Sequence, residues 1–118
     1  MLFVCYPGCS TCKKARDWLD RKGIIYTFRD IKNDNPSEEE LAAWSKKSGL
    51  PSRRLFNTSG LVYRALKLKD KLDGMPEKEQ LALLATDGML VKRPILAGND
   101  FVLVGFREKA WAEAFGAL

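Results

Sequence analysis

The chain of 118 residues contains no histidine. That excludes every Cys-His or Ser-His nucleophilic pair, the usual means of activating a thiol or hydroxyl for acyl transfer. It also removes the commonest zinc ligand. With only three cysteines, the chain cannot close a four-ligand structural zinc site on its own. Three cysteines do not make the disulfide framework of a small secreted domain either. No apolar run approaches the length of a membrane span, and Leu2–Pro7 is not preceded by a basic segment of the kind that opens a signal peptide. The expectation is a cytoplasmic protein that does not enter the membrane. Basic residues exceed acidic ones, 20 to 15, for a net charge of +5. They are scattered in doublets such as Lys13-Lys14 and Lys92-Arg93 rather than gathered in an arm or stripe. This charge favours anionic partners at long range but gives no basis for direct nucleic-acid recognition.

What is present suffices for one small domain over residues 1–118, expected to be monomeric: 46% of the residues are hydrophobic and 30% charged. Leu2–Tyr6 is a short apolar run stopped by Pro7-Gly8, as expected of a strand covered on both faces. From Ser10 to Lys22 the apolar residues Ala15, Trp18 and Leu19 recur at helical spacing, and Gly23 is placed to end the helix. Ile24–Asp30, rich in β-branched and aromatic residues, reads as a second strand, so the chain opens as βαβ. Ser37 and Glu40 have the spacing of a capping box at the start of a helix ending near Gly49. Between about 37 and 88 the pattern predicts a helical insertion, with Pro76 at the first position of a late helix. Ile95–Ala97 and Phe101–Val104 flank Gly98-Asn99-Asp100 as a hairpin, and Arg107–Phe115 closes the chain as an amphipathic helix over one sheet face. Trp18, Trp44 and Trp111 all fall on these helices and are expected in the core. The order is an α/β, thioredoxin-like (glutaredoxin-like) layout, with a helical insertion between an N-terminal βαβ unit and a C-terminal ββα unit.

The chemistry is concentrated in Cys9-Ser10-Thr11-Cys12, where the first strand hands over to the first helix. A sulfur at a helix N-terminus meets unpaired N–H groups and the positive end of the helix dipole. The cations Lys13, Lys14 and Arg16 and the hydroxyls of Ser10 and Thr11 add to this. A Cys9 pKa below that of a free thiol is therefore expected. Cys12, one turn further on, is placed to resolve an adduct on Cys9 and leave a redox-active Cys9–Cys12 disulfide. A purely structural disulfide is the alternative, although so short a loop would stabilise little. Cys5 reads as a small buried hydrophobe. Asn57-Thr58-Ser59-Gly60 reads as a turn, with a phosphate or glutathione loop as the alternative.

Tyr6–Ala15, Leu55–Gly60 and Lys92–Ile95, in that order, resemble the ArsC/Spx family over nearly the whole chain. The resemblance implies a thioredoxin-like fold in which Pro94 is the cis-proline facing the reactive cysteine. Cys9 falls on the catalytic cysteine of the family's arsenate reductases, and Arg93 and Arg107 on arginines that bind the oxyanion there; Asn57 stands where a third such arginine is found. Two functions are implied. The first is a thiol-dependent oxidoreductase acting on a small oxyanion or a thiol/disulfide substrate, with Cys12 or glutathione resolving, no bound cofactor, and glutathione, glutaredoxin or thioredoxin as reductant. The second is a redox-sensing regulator that binds the RNA polymerase α subunit through its C-terminal domain. The departures that bring the second reading in are Asn57 in place of the third arginine and Cys12 where the reductases usually carry a hydroxyl residue.

Overall fold

The computed structural model describes residues 1–116. Its sheet is built outward from strand β1, Leu2–Cys5, which lies in the middle because its side chains are apolar on both faces. β1 runs parallel to β2, Thr27–Asp30, and antiparallel to β3, Ile95–Ala97, which in turn pairs with β4, Val102–Val104. The strand order is β2-β1-β3-β4. β2 is shorter than the Ile24–Asp30 expectation. The register pairs Leu2 with Thr27, so β1 offers no partner earlier than Thr27, and Ile25 is exposed. The hairpin between β3 and β4 is closed by the Gly98 N–H donating to the Phe101 carbonyl.

Alternation along β1 sorts the core into two layers. Phe3 and Cys5 pack with Cys12, Ala15, Trp18 and Leu19 of helix α1, Ser10–Arg21, and with Trp111 of helix α5, Glu108–Gly116. The Trp18 and Trp111 rings meet edge to face at 5.9 Å. On the other face Val4 packs with Leu41 and Trp44 of helix α2, Glu38–Ser48, and with the rest of the insertion. That insertion consists of short 3-10 turns around helix α3, Leu61–Ala65, and helix α4, Glu77–Leu84. The three tryptophans are core residues, as expected.

The capping box forms as read: Ser37 accepts from the Glu40 amide and the Glu40 carboxylate accepts from the Ser37 amide, both at 3.1 Å. The same carboxylate takes a forked pair of bonds from Arg29, which ties β2 to the start of α2. Arg29 holds Glu40 below the usual carboxylate range, against the opposing effect of its partial burial. Pro76 stands one position earlier than expected, as the N-cap of α4, with Glu77 the first helical residue. At Gly88 the backbone passes so close to the Ile31 carbonyl that a side chain could not fit. This close approach pins the end of the insertion to the loop after β2.

Candidate active site

Cys9 is the N-cap of α1, with extended backbone at φ −91° and ψ 123°. Position explains its chemistry. The amides two and three residues beyond an N-cap have no partner within the helix. Here those are Thr11 and Cys12, and they face the Cys9 sulfur. Partial burial pushes the Cys9 thiol up, but the Cys12 N–H, the Arg93 side chain and the Thr11 N–H together outweigh it and hold the pKa below the ordinary thiol value. The direction agrees with the sequence reading; the charge has a different source. It is Arg93, distant in sequence, rather than the neighbours Lys13, Lys14 and Arg16. Arg16 instead lies over the Phe28 ring and donates to Tyr26. The Ser10 and Thr11 hydroxyls are likewise replaced in this role by backbone N–H groups.

Cys9 opens into a cavity of about 720 Å³ whose lining includes Ser10, Thr11, Asn57, Lys92, Arg93 and Arg107. Thus Cys9, Ser10, Thr11, Arg93 and Arg107 are brought together, as the sequence led us to expect. Pro94 is buried beside the cavity rather than lining it, and the Arg93–Pro94 peptide bond is cis. The Arg93 guanidinium lies 5.5 Å from the centroid of the Tyr6 ring, and its Nε and Nη1 are buried with no acceptor among the described residues. An anion within the cavity would supply that acceptor. Two loop contacts shape the rest of the rim. The Asn57 amide donates to the Leu90 carbonyl at 2.7 Å, and the Gly60 amide returns to the Asn57 carbonyl at 3.2 Å, so 57–60 is the turn that was expected and also a cavity wall. Gly105, at φ +76° in the left-handed region, donates to the Pro94 carbonyl at 2.8 Å and accepts from the Trp111 indole, which places Phe106 and Arg107.

Cys12 departs from expectation. It is 4% exposed and disulfide-bonded to Cys5, with Cα atoms 5.9 Å apart, while Cys9 is a free thiol. Cys5 is buried, as read, but it is bonded rather than a passive hydrophobe. The correction follows from the layering of the fold. The helix spacing that sets Cys12 one turn from Cys9 also points Cys12 at the sheet, and β1 presents Cys5 on that face. The Cys12 sulfur also accepts the Tyr6 N–H at 3.4 Å. Sequence reading missed Cys5 and Tyr6 as site-forming residues. The matching signal was available: odd positions of β1 and the Cys12-Ala15-Leu19 stripe of α1 share one layer. It also missed the apolar rim of Leu61, Val62, Met89 and Phe106, which local spacing alone does not reveal.

Among the described residues no helix is long and apolar enough to cross a membrane, and no group of three or more potential metal-ligating side chains gathers. A family model for the ArsC family matches residues 5–114. An ArsC family related protein of Bacteroides fragilis has a similar crystal structure, with 56% sequence identity, a TM-score of 0.92, and coverage of 95% of this chain and 96% of that one. A possible arsenate reductase of Streptococcus mutans UA159 is 44% identical, with a TM-score of 0.83 and 90% of each chain covered. The global transcriptional regulator Spx of Staphylococcus aureus is 28% identical over 102 residues, which is 86% of this chain and 76% of that protein.

Proposed function

Because the chain belongs to the ArsC family, we propose that it is a thiol-dependent oxidoreductase of the cytoplasm, with Cys9 as the attacking thiolate and an anionic group of the substrate held by Arg93. The observation that carries this reading is the pairing of a thiol held below its ordinary pKa with a guanidinium whose Nε and Nη1 are buried and without an acceptor. The same cation serves two ends: it favours the thiolate before the substrate arrives, and it forms charge-assisted hydrogen bonds once the anion is present. Arg107 and Lys92, which line the same cavity, add positive potential where the substrate enters.

For a mixed disulfide of glutathione and a small thiol, the Cys9 sulfur attacks the glutathione sulfur. The substrate S–S bond breaks, and the small thiol leaves with a proton from solvent. A second glutathione then attacks the glutathione sulfur bound to Cys9, forming oxidised glutathione and restoring the Cys9 thiolate. Oxyanion reduction would use the same thiolate and the same arginines. Ser10 and Thr11 line the approach, and Pro94 acts from behind it by fixing the backbone that carries Arg93. No resident cofactor is required; glutathione, glutaredoxin or thioredoxin supplies the electrons.

In an assay of glutathione-dependent mixed-disulfide and arsenate reduction, Cys9→Ser is expected to lose about 10³-fold or more of the activity. Retention of full turnover by that variant removes the catalytic role.

The similarity to Spx supports a second reading, a redox-responsive regulator that contacts the RNA polymerase α C-terminal domain. The arrangement of Cys9 beside the Cys5–Cys12 bond gives it a redox-sensitive element. Pull-down of that domain by oxidised or reduced protein, with no turnover in the reductase assay, is the result that would favour it.

A further inference from the structure

The Cys12 sulfur stands between two possible sulfur partners. It is bonded to Cys5, and it belongs to the residue whose N–H faces the Cys9 sulfur one helical turn away. Access to the three differs sharply: Cys5 is 0% and Cys12 4% exposed, whereas Cys9 opens into the 720 Å³ cavity. A second cavity does touch Cys12, between Tyr6, Pro7, Lys13, Arg16 and Phe28, but at about 130 Å³ it is too small for a peptide thiol. External thiols and disulfides therefore reach this cysteine set through Cys9.

We propose that Cys5 is a third thiol of the reaction, receiving the disulfide from Cys9–Cys12 so that Cys9 is returned as a free thiolate. This rests on the reading of Cys9 as the attacking thiolate. In the fully reduced chain, Cys9 attacks a substrate disulfide, one substrate thiolate leaves and takes a proton, and the other half stays bonded to Cys9. Cys12 then gives up its proton and attacks the Cys9 sulfur. The bond to the substrate breaks, the second substrate thiolate leaves with that proton, and a Cys9–Cys12 disulfide remains. Cys5 gives up its proton and attacks the Cys12 sulfur; the Cys9–Cys12 bond breaks, and Cys9 departs as the thiolate. The chain has lost two electrons and the substrate has gained them. Recharging runs the last exchange backwards. Cys9 attacks Cys12 and Cys5 takes up a proton; an external dithiol then attacks the Cys9 sulfur and expels Cys12, which takes a proton. The dithiol's second sulfur attacks its first, breaking the bond to Cys9 and releasing Cys9 as the thiolate.

The direction of the internal exchange follows from burial and charge. With one disulfide and one thiol to distribute among three sulfurs, the favoured arrangement puts the uncharged disulfide where water is excluded and the thiolate where donors are available. Cys5 and Cys12 have the first environment and Cys9 the second. A stabilised thiolate is also the better leaving group. Relocating the disulfide thus leaves Cys9 able to react again.

The test treats the anaerobically reduced protein with excess hydroxyethyl disulfide and quenches with acid at intervals. Free thiols are capped with one alkylating agent, and the remainder with another after reduction. Tandem mass spectrometry of tryptic peptide 1–13, which contains all three cysteines, locates each label. The wild type is expected to release about three equivalents of mercaptoethanol, ending with Cys5 bonded to Cys12 and an adduct on Cys9. Cys5→Ala should stop at about two, with Cys9–Cys12 closed and no adduct. Cys9→Ala should oxidise Cys5 and Cys12 at least about tenfold more slowly than wild type; this arm leaves the buried pair untouched and does not depend on Cys5→Ala folding. Formation of the Cys5–Cys12 bond at the wild-type rate in Cys9→Ala would overturn the relay while leaving Cys9 as the attacking thiol. So would a wild type that stops at Cys9–Cys12 with Cys5 free. If the wild type releases no mercaptoethanol, the underlying reading of Cys9 falls as well.

Discussion

Arg93 helps to hold the Cys9 thiol below its ordinary pKa, and that effect can be read through pH. The folded environment lowers the Cys9 pKa, so thiolate reactivity is present above the folded-state value and is lost as pH falls through it. Removing the guanidinium in Arg93→Ala takes away one of the groups that oppose the burial of this thiol. The midpoint of iodoacetamide alkylation against pH should therefore move upward in the variant. For an anionic substrate kcat/KM should also fall by about 10- to 100-fold, the scale of one lost charge-assisted hydrogen bond of about 1.5–3 kcal/mol. An unchanged alkylation midpoint would show that the helix amides alone set the acidity. Sequence reading found the sulfur and the direction of its pKa but assigned the charge to Lys13, Lys14 and Arg16, nearby in the chain. Local charges are visible as neighbours in sequence; a guanidinium that arrives from 84 positions away, on the loop before β3, is not.

The elements that present the site are held by a few close backbone contacts. Gly88 is the tightest: a Cβ there would lie 1.9 Å from the Ile31 carbonyl oxygen and 2.7 Å from the Asn35 side chain. Relief requires shifting backbone, not rotating a side chain, so Gly88→Ala should destabilise the protein by about 1–3 kcal/mol, measured by urea denaturation. Met89, Lys92 and Arg93 follow directly after this anchor and line the cavity. The same variant should therefore raise KM more than a surface control of equal stability loss. A Gly88→Ala protein as stable as wild type would mean that the approach of 88 to 31 is not a constraint. Helices α1, α2, α4 and α5 were legible because capping box, apolar spacing and terminal glycines are local signals, whereas the short α3 was not read as a separate helix. The 3-10 turns of the insertion were not resolved individually, since their residues are ordered by burial of Leu55, Leu68 and Leu72 against distant partners rather than by local periodicity.

Across the whole molecule, the net charge of +5 and the presence of Lys92, Arg93 and Arg107 in the lining of one cavity make the entrance attractive to anions. Raising ionic strength from 0.01 M to about 0.5 M should lower kcat/KM for an anionic glutathione mixed disulfide, while hydroxyethyl disulfide, which is neutral, should change little. Equal salt dependence for the two substrates would remove the electrostatic contribution to entry. By itself the sequence determined the order of elements, the covering of β1 on both faces, the cysteine at the start of α1 and the family. Each of these depends on side-chain alternation, capping chemistry or motifs within short stretches of chain. Only the tertiary structure decided which sulfur Cys12 bonds, which cation faces Cys9, and which apolar residues rim the cavity. Those outcomes depend on which face of β1 packs under α1 and on how the insertion and the hairpin close over the helix N-terminus, contacts between segments far apart in sequence.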